Sequence, residues 1–194
     1  FSEAVSGFTN ADLNIANGTL SAVSSSDGGV TWTATLTPTA GITDSSNLIA
    51  LNNAGVTDAA GNAGNGLTFS NNYAIDSARP TASIVVADSA LSVGETSLVT
   101  ITFSEAVSGF DNSDLSVPNG TLSAVSSGDG GITWTATFTP GANVADTTNL
   151  ISLNNAGVAD LAGNAGAGAP TRVISPSTLF GRPPPSWSPT ARCP

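Results

Sequence analysis

Ile132-Thr-Trp-Thr-Ala-Thr-Phe138 alternates without a break. Ile132, Trp134, Ala136 and Phe138 fall on one face, and Thr133, Thr135 and Thr137 on the other. That is the period of a strand with one buried and one wet side. Just before it, Asp129-Gly130-Gly131 follows Thr121-Leu-Ser-Ala-Val125, a spacing that predicts a hairpin with a glycine-rich loop. Pro118-Asn119-Gly120 marks another turn. Upstream, Thr81-Ala-Ser-Ile-Val-Val-Ala87 and Leu98-Val-Thr-Ile-Thr-Phe103 are β-branched runs of strand length, with a turn at Ser92-Val-Gly-Glu95 between them. Downstream, Asn149-Leu-Ile-Ser-Leu153 predicts a further short strand. No helical stripe of useful length is present.

The pattern occurs twice. Thr133-Trp-Thr-Ala-Thr137 is also Thr31-Trp-Thr-Ala-Thr35, and Phe103-Ser-Glu-Ala-Val-Ser-Gly-Phe110 is also Phe1-Ser-Glu-Ala-Val-Ser-Gly-Phe8. At an offset of 102 residues, 48 of the 66 positions in 1–66 are identical to those in 103–168, with no gap. Two catalytic domains in one chain rarely stay so alike, whereas tandem modules of an array do. The first copy holds no counterpart of the runs 81–87 and 97–102; its last strand is expected at Leu67-Thr-Phe-Ser-Asn-Asn-Tyr-Ala-Ile75.

Composition excludes several chemistries. The chain has 14 acids against four Arg, no Lys, no His, no Met and one Cys, for a net charge of −10. Without His there is no Ser-His-Asp or Cys-His catalysis and no ordinary zinc site. Without Lys there is neither a P-loop lysine nor Schiff-base chemistry. So acidic a surface repels nucleic acid and anionic membrane. No apolar run approaches the roughly 20 residues of a membrane span, so no direct membrane insertion is expected. The missing Met suggests that residue 1 is not a translation start.

After residue 168 the likeness stops. Residues 169–194 hold three of the four Arg, the Cys and seven of the 11 Pro, and no acid. With suitable codons, Arg79–Ser92 read one base out of frame gives Gly181–Pro194 at all fourteen positions, in the register of the repeat. The tail is therefore read as out of frame, disordered and without a function of its own, with Cys193 never selected as a cysteine.

About seven short strands in roughly 100 residues is the count of an immunoglobulin-like sandwich. The expected fold is all-β, two tandem immunoglobulin-like β-sandwich repeats, both truncated. The first covers 1–76 and lacks its first strands. The second covers 77–168 and loses its last strand. Unpaired sheet edges and marginal stability should follow. Trp32 and Trp134 are read as core anchors rather than as a stacking platform.

The runs Val-Thr-Ile-Thr-Phe-Ser-Glu-Ala-Val-Ser-Gly-Phe, Asn-Gly-Thr-Leu, Thr-Trp-Thr-Ala-Thr-Phe-Thr-Pro and Asp-Xaa-Ala-Gly-Asn resemble the bacterial Ig-like repeats of very large secreted adhesins and biofilm-associated proteins. The resemblance spans 1–168. It implies extender modules that carry a ligand-binding domain away from the cell, located outside the cell or on its surface. Their partners are neighbouring repeats of the same chain, and the resemblance names no surface ligand. Some related arrays bind calcium between domains.

Calcium takes six to eight hard oxygen ligands. The candidates near the junction at Asp76-Ser-Ala-Arg-Pro80 are Asp76, Asp58 and Asn62 of the Asp58-Ala-Ala-Gly-Asn62 loop, and Glu105 or Asp88 of the second copy. The competing reading is that Asp58 and Asn62 only shape a turn and that Glu3 and Glu105 are solvated strand ends. The acids are scattered and recur once per repeat, which argues against a glycosidase pair. Asn17-Gly-Thr19 and Asn119-Gly-Thr121 fit a glycosylation pattern but fall on expected tight turns. The leading reading is a structural spacer and not an enzyme. The alternative is a carbohydrate- or protein-binding accessory module of a secreted enzyme.

Overall fold

The computed structural model describes residues 1–168 and 171–172. The chain divides into two units, Phe1–Ala78 and a second that begins at Arg79. The boundary lies two residues beyond the expected Asp76 because Ser77 still belongs to the first unit. Its hydroxyl donates to the carbonyl of Thr39 at 2.6 Å, and its N–H donates to that of Ile42 at 2.8 Å. Among the described residues, secondary structure is short strands plus four single-turn 3-10 helices. The absence of longer helices among the described residues agrees with the lack of any helical stripe in the sequence.

In the second unit, Ala82–Val86 and Ser97–Phe103 form a leading antiparallel hairpin in which Ala82 pairs with Phe103 and Val86 with Val99. Ser97–Phe103 pairs in turn with Thr133–Pro140, Ile101 lying opposite Trp134 and Val99 opposite Ala136. Gly120–Leu122 and Ser126–Ser127 close the other side of that strand. A separate ladder joins Leu115–Ser116, Ser152–Leu153 and Thr171–Arg172. Between these layers sit Ile84, Val99, Ile101, Phe103, Val107, Phe110, Ile151, Leu153 and Val158. Burying one such aliphatic side chain is worth about 1.5–3 kcal/mol, so this cluster dominates the unit's stability. The alternation expected from Ile132 to Phe138 is present only in part: Ala136 is 4% exposed and Trp134 and Phe138 are half-buried, whereas Ile132 lies before the strand and is 40% exposed, so it does not join the buried face. Phe110 meets Phe103 and Trp134 edge to face, each with ring centroids 5.2 Å apart. Trp134 packs against the core and its indole N–H donates to the carbonyl of Gly131 at 3.1 Å, which bears out the core-anchor reading.

The first unit repeats this plan with fewer elements. Leu13–Ile15, Ile49–Asn52 and Leu67–Phe69 form one sheet. Gly18–Leu20 pairs with Leu36–Pro38, and Thr43–Asn47 pairs with Tyr73–Asp76. The strand expected over 67–75 is thus two strands with two different partners. Ser70 breaks it, accepting the Ile49 N–H on its hydroxyl at 3.0 Å. Residues 1–78 contain no counterpart of the leading hairpin. As a result only Leu36–Pro38 of the segment equivalent to Thr133–Pro140 is strand, apart from a bridge between Ser24 and Thr33. Trp32 still packs edge to face on Phe8, at 5.3 Å, and like Trp134 is half-buried.

The second unit differs at its other end. Thr43–Asn47 is a strand in the first copy, whereas its counterpart 145–149 is not. The partner strand's counterparts, 175–178, lie outside the described residues. Thr171–Arg172 occupies the ladder position of Leu67–Phe69 with the register shifted by one residue, since Leu153 pairs with Thr171 where Leu51 pairs with Thr68. Apart from that pair of residues, the expectation of a disordered tail over 169–194 falls outside the described residues.

Candidate functional site

Each unit has a pole where the repeated Phe-Ser-Glu run meets the Asp-Xaa-Ala-Gly-Asn loop. In the first unit, Val5–Ser6 pairs with Thr57–Asp58, which brings Glu3 beside that loop. Glu3, Asn53, Asp58 and Asn62 line one cleft there. In the second unit, Val107–Ser108 pairs with Ala159–Asp160 in the same register. A carboxylate oxygen of Glu105 lies within 4.8 Å of one of Asp160.

The loop is built locally. Asp58 accepts the backbone N–H groups of Ala60 and Asn62 at 2.9 and 2.8 Å, and the Asn62 amide at 2.8 Å. Gly61 supplies the positive φ of 90° that closes the turn. Asp160 and Asn164 repeat the arrangement, with 2.8 Å contacts to both carboxylate oxygens. The Asn62 side chain and backbone donors hold the Asp58 carboxyl below its usual range. At Asp160 burial opposes the charge, but the combined donors from Asn164, Gly163 and Ala162 outweigh it, and this carboxyl too is held low. The turn role is therefore present in both copies, and both loops present ionised oxygen.

The five nominated residues do not gather at one place. Asp58 and Asn62 lie at the pole of the first unit that also holds Glu3. Asp76 ends the strand that pairs with Thr43–Asn47, and Thr43 donates to it at 3.0 Å. From Thr43 the chain runs up through Ile49–Asn52 to Asn53 at the Asp58 pole, a strand path on the order of 25 Å. Asp58 and Asp76 thus occupy opposite ends of one sandwich. Asp88 is separated from Glu105 in the same way. Glu105 follows the Phe103 end of the leading hairpin, while Asp88 lies past the Val86 end, roughly 20 Å away. Asp88 shapes a turn there, accepting the Ala90 N–H at 2.9 Å. The carboxylate beside Glu105 is Asp160, the residue one period after Asp58. The 102-residue offset was the signal that could have found it.

A buried amide completes the pole of the second unit. Asn155 is 5% exposed, its amide donates to the Pro80 carbonyl at 2.7 Å, and its Oδ1 has no partner among the described residues. Its counterpart Asn53 lines the cleft of the first unit. Elsewhere, the amides of Asn17 and Asn119 are taken up structurally. Asn17 bonds Asp44 and Asn47, both at 2.9 Å, and Asn119 bonds Asp146 at 3.0 Å and Asn149 at 2.6 Å. Both sit in the left-handed region, at φ 56° and 58°, as the tight-turn reading expects.

The family described as bacterial Ig-like domain matches residues 1–75 and again 76–174. The chain belongs to the bacterial Ig-like domain family. Bacterial Ig-like domains are typically structural, non-catalytic modules and commonly occur in surface or secreted proteins. Among the described residues no helix is long and apolar enough to cross a membrane. No curated protein and no solved structure matches this bacterial Ig-like chain.

Proposed function

We propose that the chain is a pair of spacer modules from an adhesin, secreted or displayed on a bacterial surface, and that it supports adhesion and biofilm formation by rigidity and reach. The observation that carries this reading is the ungapped tandem repeat, identical at 48 of 66 positions, both copies of which fall within one structural domain family. Each sandwich adds length. The net charge of −10 keeps neighbouring stalks apart.

Calcium is the proposed stiffener. Glu105, Asp160 and the unpartnered Oδ1 of Asn155 supply hard oxygens at the pole where the chain enters the second unit through Pro80, a donor set of the kind calcium prefers. Asp76, four residues before Pro80, is the further candidate by its place in the sequence. When bound, the ion supplies cross-linking charge and no chemistry. The protein's own part is to hold these oxygens ready: Asn164 fixes Asp160, and Pro80 fixes Asn155.

Thermal unfolding of the 194-residue chain tests this, in millimolar calcium and in EDTA. A ligand at 100 times its dissociation constant adds about 2.7 kcal/mol to the native state. The midpoint should rise in calcium, and Asp160→Asn should abolish the rise. An unchanged midpoint removes calcium and leaves the acids as solvated surface.

A further inference from the structure

Asn-Gly occurs three times in the chain, at Asn17-Gly18, Asn65-Gly66 and Asn119-Gly120. In such a pair the glycine nitrogen can attack the asparagine side-chain carbonyl, because no Cβ on the glycine screens it. Attack needs two freedoms. The side-chain amide must be loose, and the peptide unit that follows must rotate toward it. The fold removes both at two of the three pairs. The Asn17 amide donates to Asp44 and Asn47, each at 2.9 Å, and the Asn119 amide to Asp146 at 3.0 Å and Asn149 at 2.6 Å. Gly18 and Gly120 open the strands Gly18–Leu20 and Gly120–Leu122 and lie against Leu36 and Phe138. The carbonyls of Asn17 and Asn119 accept the N–H groups of Thr39 and Gly141 at 2.9 and 2.7 Å, which fixes both peptide units.

Asn65-Gly66 keeps both freedoms. Both residues are exposed, and neither the Asn65 amide nor the Gly66 N–H has a partner among the described residues. Gly66 has a φ of 78° and open space where a Cβ would stand. The peptide unit between them has one partner among the described residues, the Asn53 amide, which donates to the Asn65 carbonyl at 3.4 Å. That is longer than the usual range of about 2.7–3.2 Å. The exposure belongs to the repeat and not to the first copy alone. In the second unit, which carries the leading hairpin, the equivalent Ala167 and Gly168 are exposed as well. Asp27-Gly28 and Asp129-Gly130 would close the same ring only from the protonated acid. The N–H groups of Thr31 and Thr133, at 3.0 and 2.9 Å, hold both carboxyls ionised.

We propose that Asn65 is a site of spontaneous deamidation in the folded protein, and that the first repeat alone acquires the modification. The Gly66 nitrogen gives its proton to solvent hydroxide and bonds to Cγ of Asn65. The Cγ–Nδ2 bond breaks, and the side-chain amide leaves as ammonia after taking a proton from water. Water then opens the five-membered succinimide. Breaking its bond from nitrogen to Cγ gives an aspartyl residue, and breaking its bond from nitrogen to the main-chain carbonyl carbon gives an isoaspartyl one. Either product adds a negative charge to a chain already at −10. The isoaspartyl product also places an extra atom in the main chain, just before the strand Leu67–Phe69. The second repeat has Ala167 at this place and cannot follow. Two modules that are otherwise so alike therefore diverge with age, and the first carries the mark.

Incubation of the 194-residue chain in mildly alkaline buffer tests the proposal, read by peptic digestion and mass spectrometry with fragmentation that distinguishes isoaspartate. The expected result is first-order conversion at Asn65, at least about tenfold faster than at Asn17 or Asn119, where two hydrogen bonds must break first. In denaturant the three pairs should react at similar rates. Asn65→Ala, which installs the residue of the second repeat, should remove the isoaspartate formed by the folded chain. Three results would overturn the proposal: Asn65 intact in the folded chain after the denatured chain has reacted, conversion at Asn17 or Asn119 as fast as at Asn65 in the folded chain, or a lead at Asn65 that persists undiminished in denaturant.

Discussion

Proline substituted at the same position in the two repeats should have opposite consequences. Ala136 is 4% exposed and pairs with Val99, which is fully buried. Proline there removes a ladder hydrogen bond, worth about 0.5–1.5 kcal/mol, and leaves a buried acceptor unsatisfied, at about 1–3 kcal/mol. The sum is about 2–4 kcal/mol. A domain of this size shifts its midpoint by about 4–8 °C per kcal/mol, so the second unit should lose on the order of 10–25 °C. Ala34 is exposed and its N–H has no partner among the described residues. Proline is tolerated on such an edge, so Ala34→Pro should change stability by less than about 0.5 kcal/mol. Scanning calorimetry, with limited proteolysis to assign each transition to its unit, measures both. Equal effects from the two substitutions would refute the edge-and-centre argument.

Other predictions concern turns and acid. Asn119→Ala removes bonds to Asp146 and Asn149 and strains a left-handed residue. It should cost about 2–3 kcal/mol in chemical denaturation, with Asn119→Gly recovering the conformational part. The Asp129 carboxyl is lowered from 3.8 to about 2, first by the Thr133 backbone N–H and then by the Thr133 and Ser127 hydroxyls. Asp27 is pushed lower still by the same contacts in the first copy. A depressed folded value means stability that is full above the unfolded value and is lost as pH falls through the folded one. Midpoints should therefore hold steady down to about pH 5 and fall between about pH 4 and 2, less steeply in Asp129→Asn.

The fold was legible where local pattern and tertiary partner agree. Ile132–Phe138, Thr81–Ala87 and Leu98–Phe103 alternate or are β-branched, and all three became strands. Leu67–Ile75 looked continuous by composition, yet it split because Ile49 and Thr43 belong to different ladders. Residues 145–149 match a strand of the first copy in pattern but are not one; an edge segment of this kind takes its structure from its partner. The candidate site was legible in type but not in membership. Acid and amide residues in Asp-Xaa-Ala-Gly-Asn marked the loop, whereas pole and partner depend on strand direction. Asp58 and Asp160 are the same residue in two repeats, and only Asp160 belongs with Glu105. Asn155 gave no sequence signal, because a buried asparagine in Leu-Asn-Asn-Ala-Gly looks like any turn former.

Small-angle scattering of the chain in calcium and in EDTA tests the stiffened-spacer account most directly. The account predicts a larger maximum dimension and a narrower distance distribution in calcium, both lost in Asp160→Asn and kept in Asp88→Asn. Superimposable curves in the two buffers, or loss of the effect in Asp88→Asn alone, would contradict it.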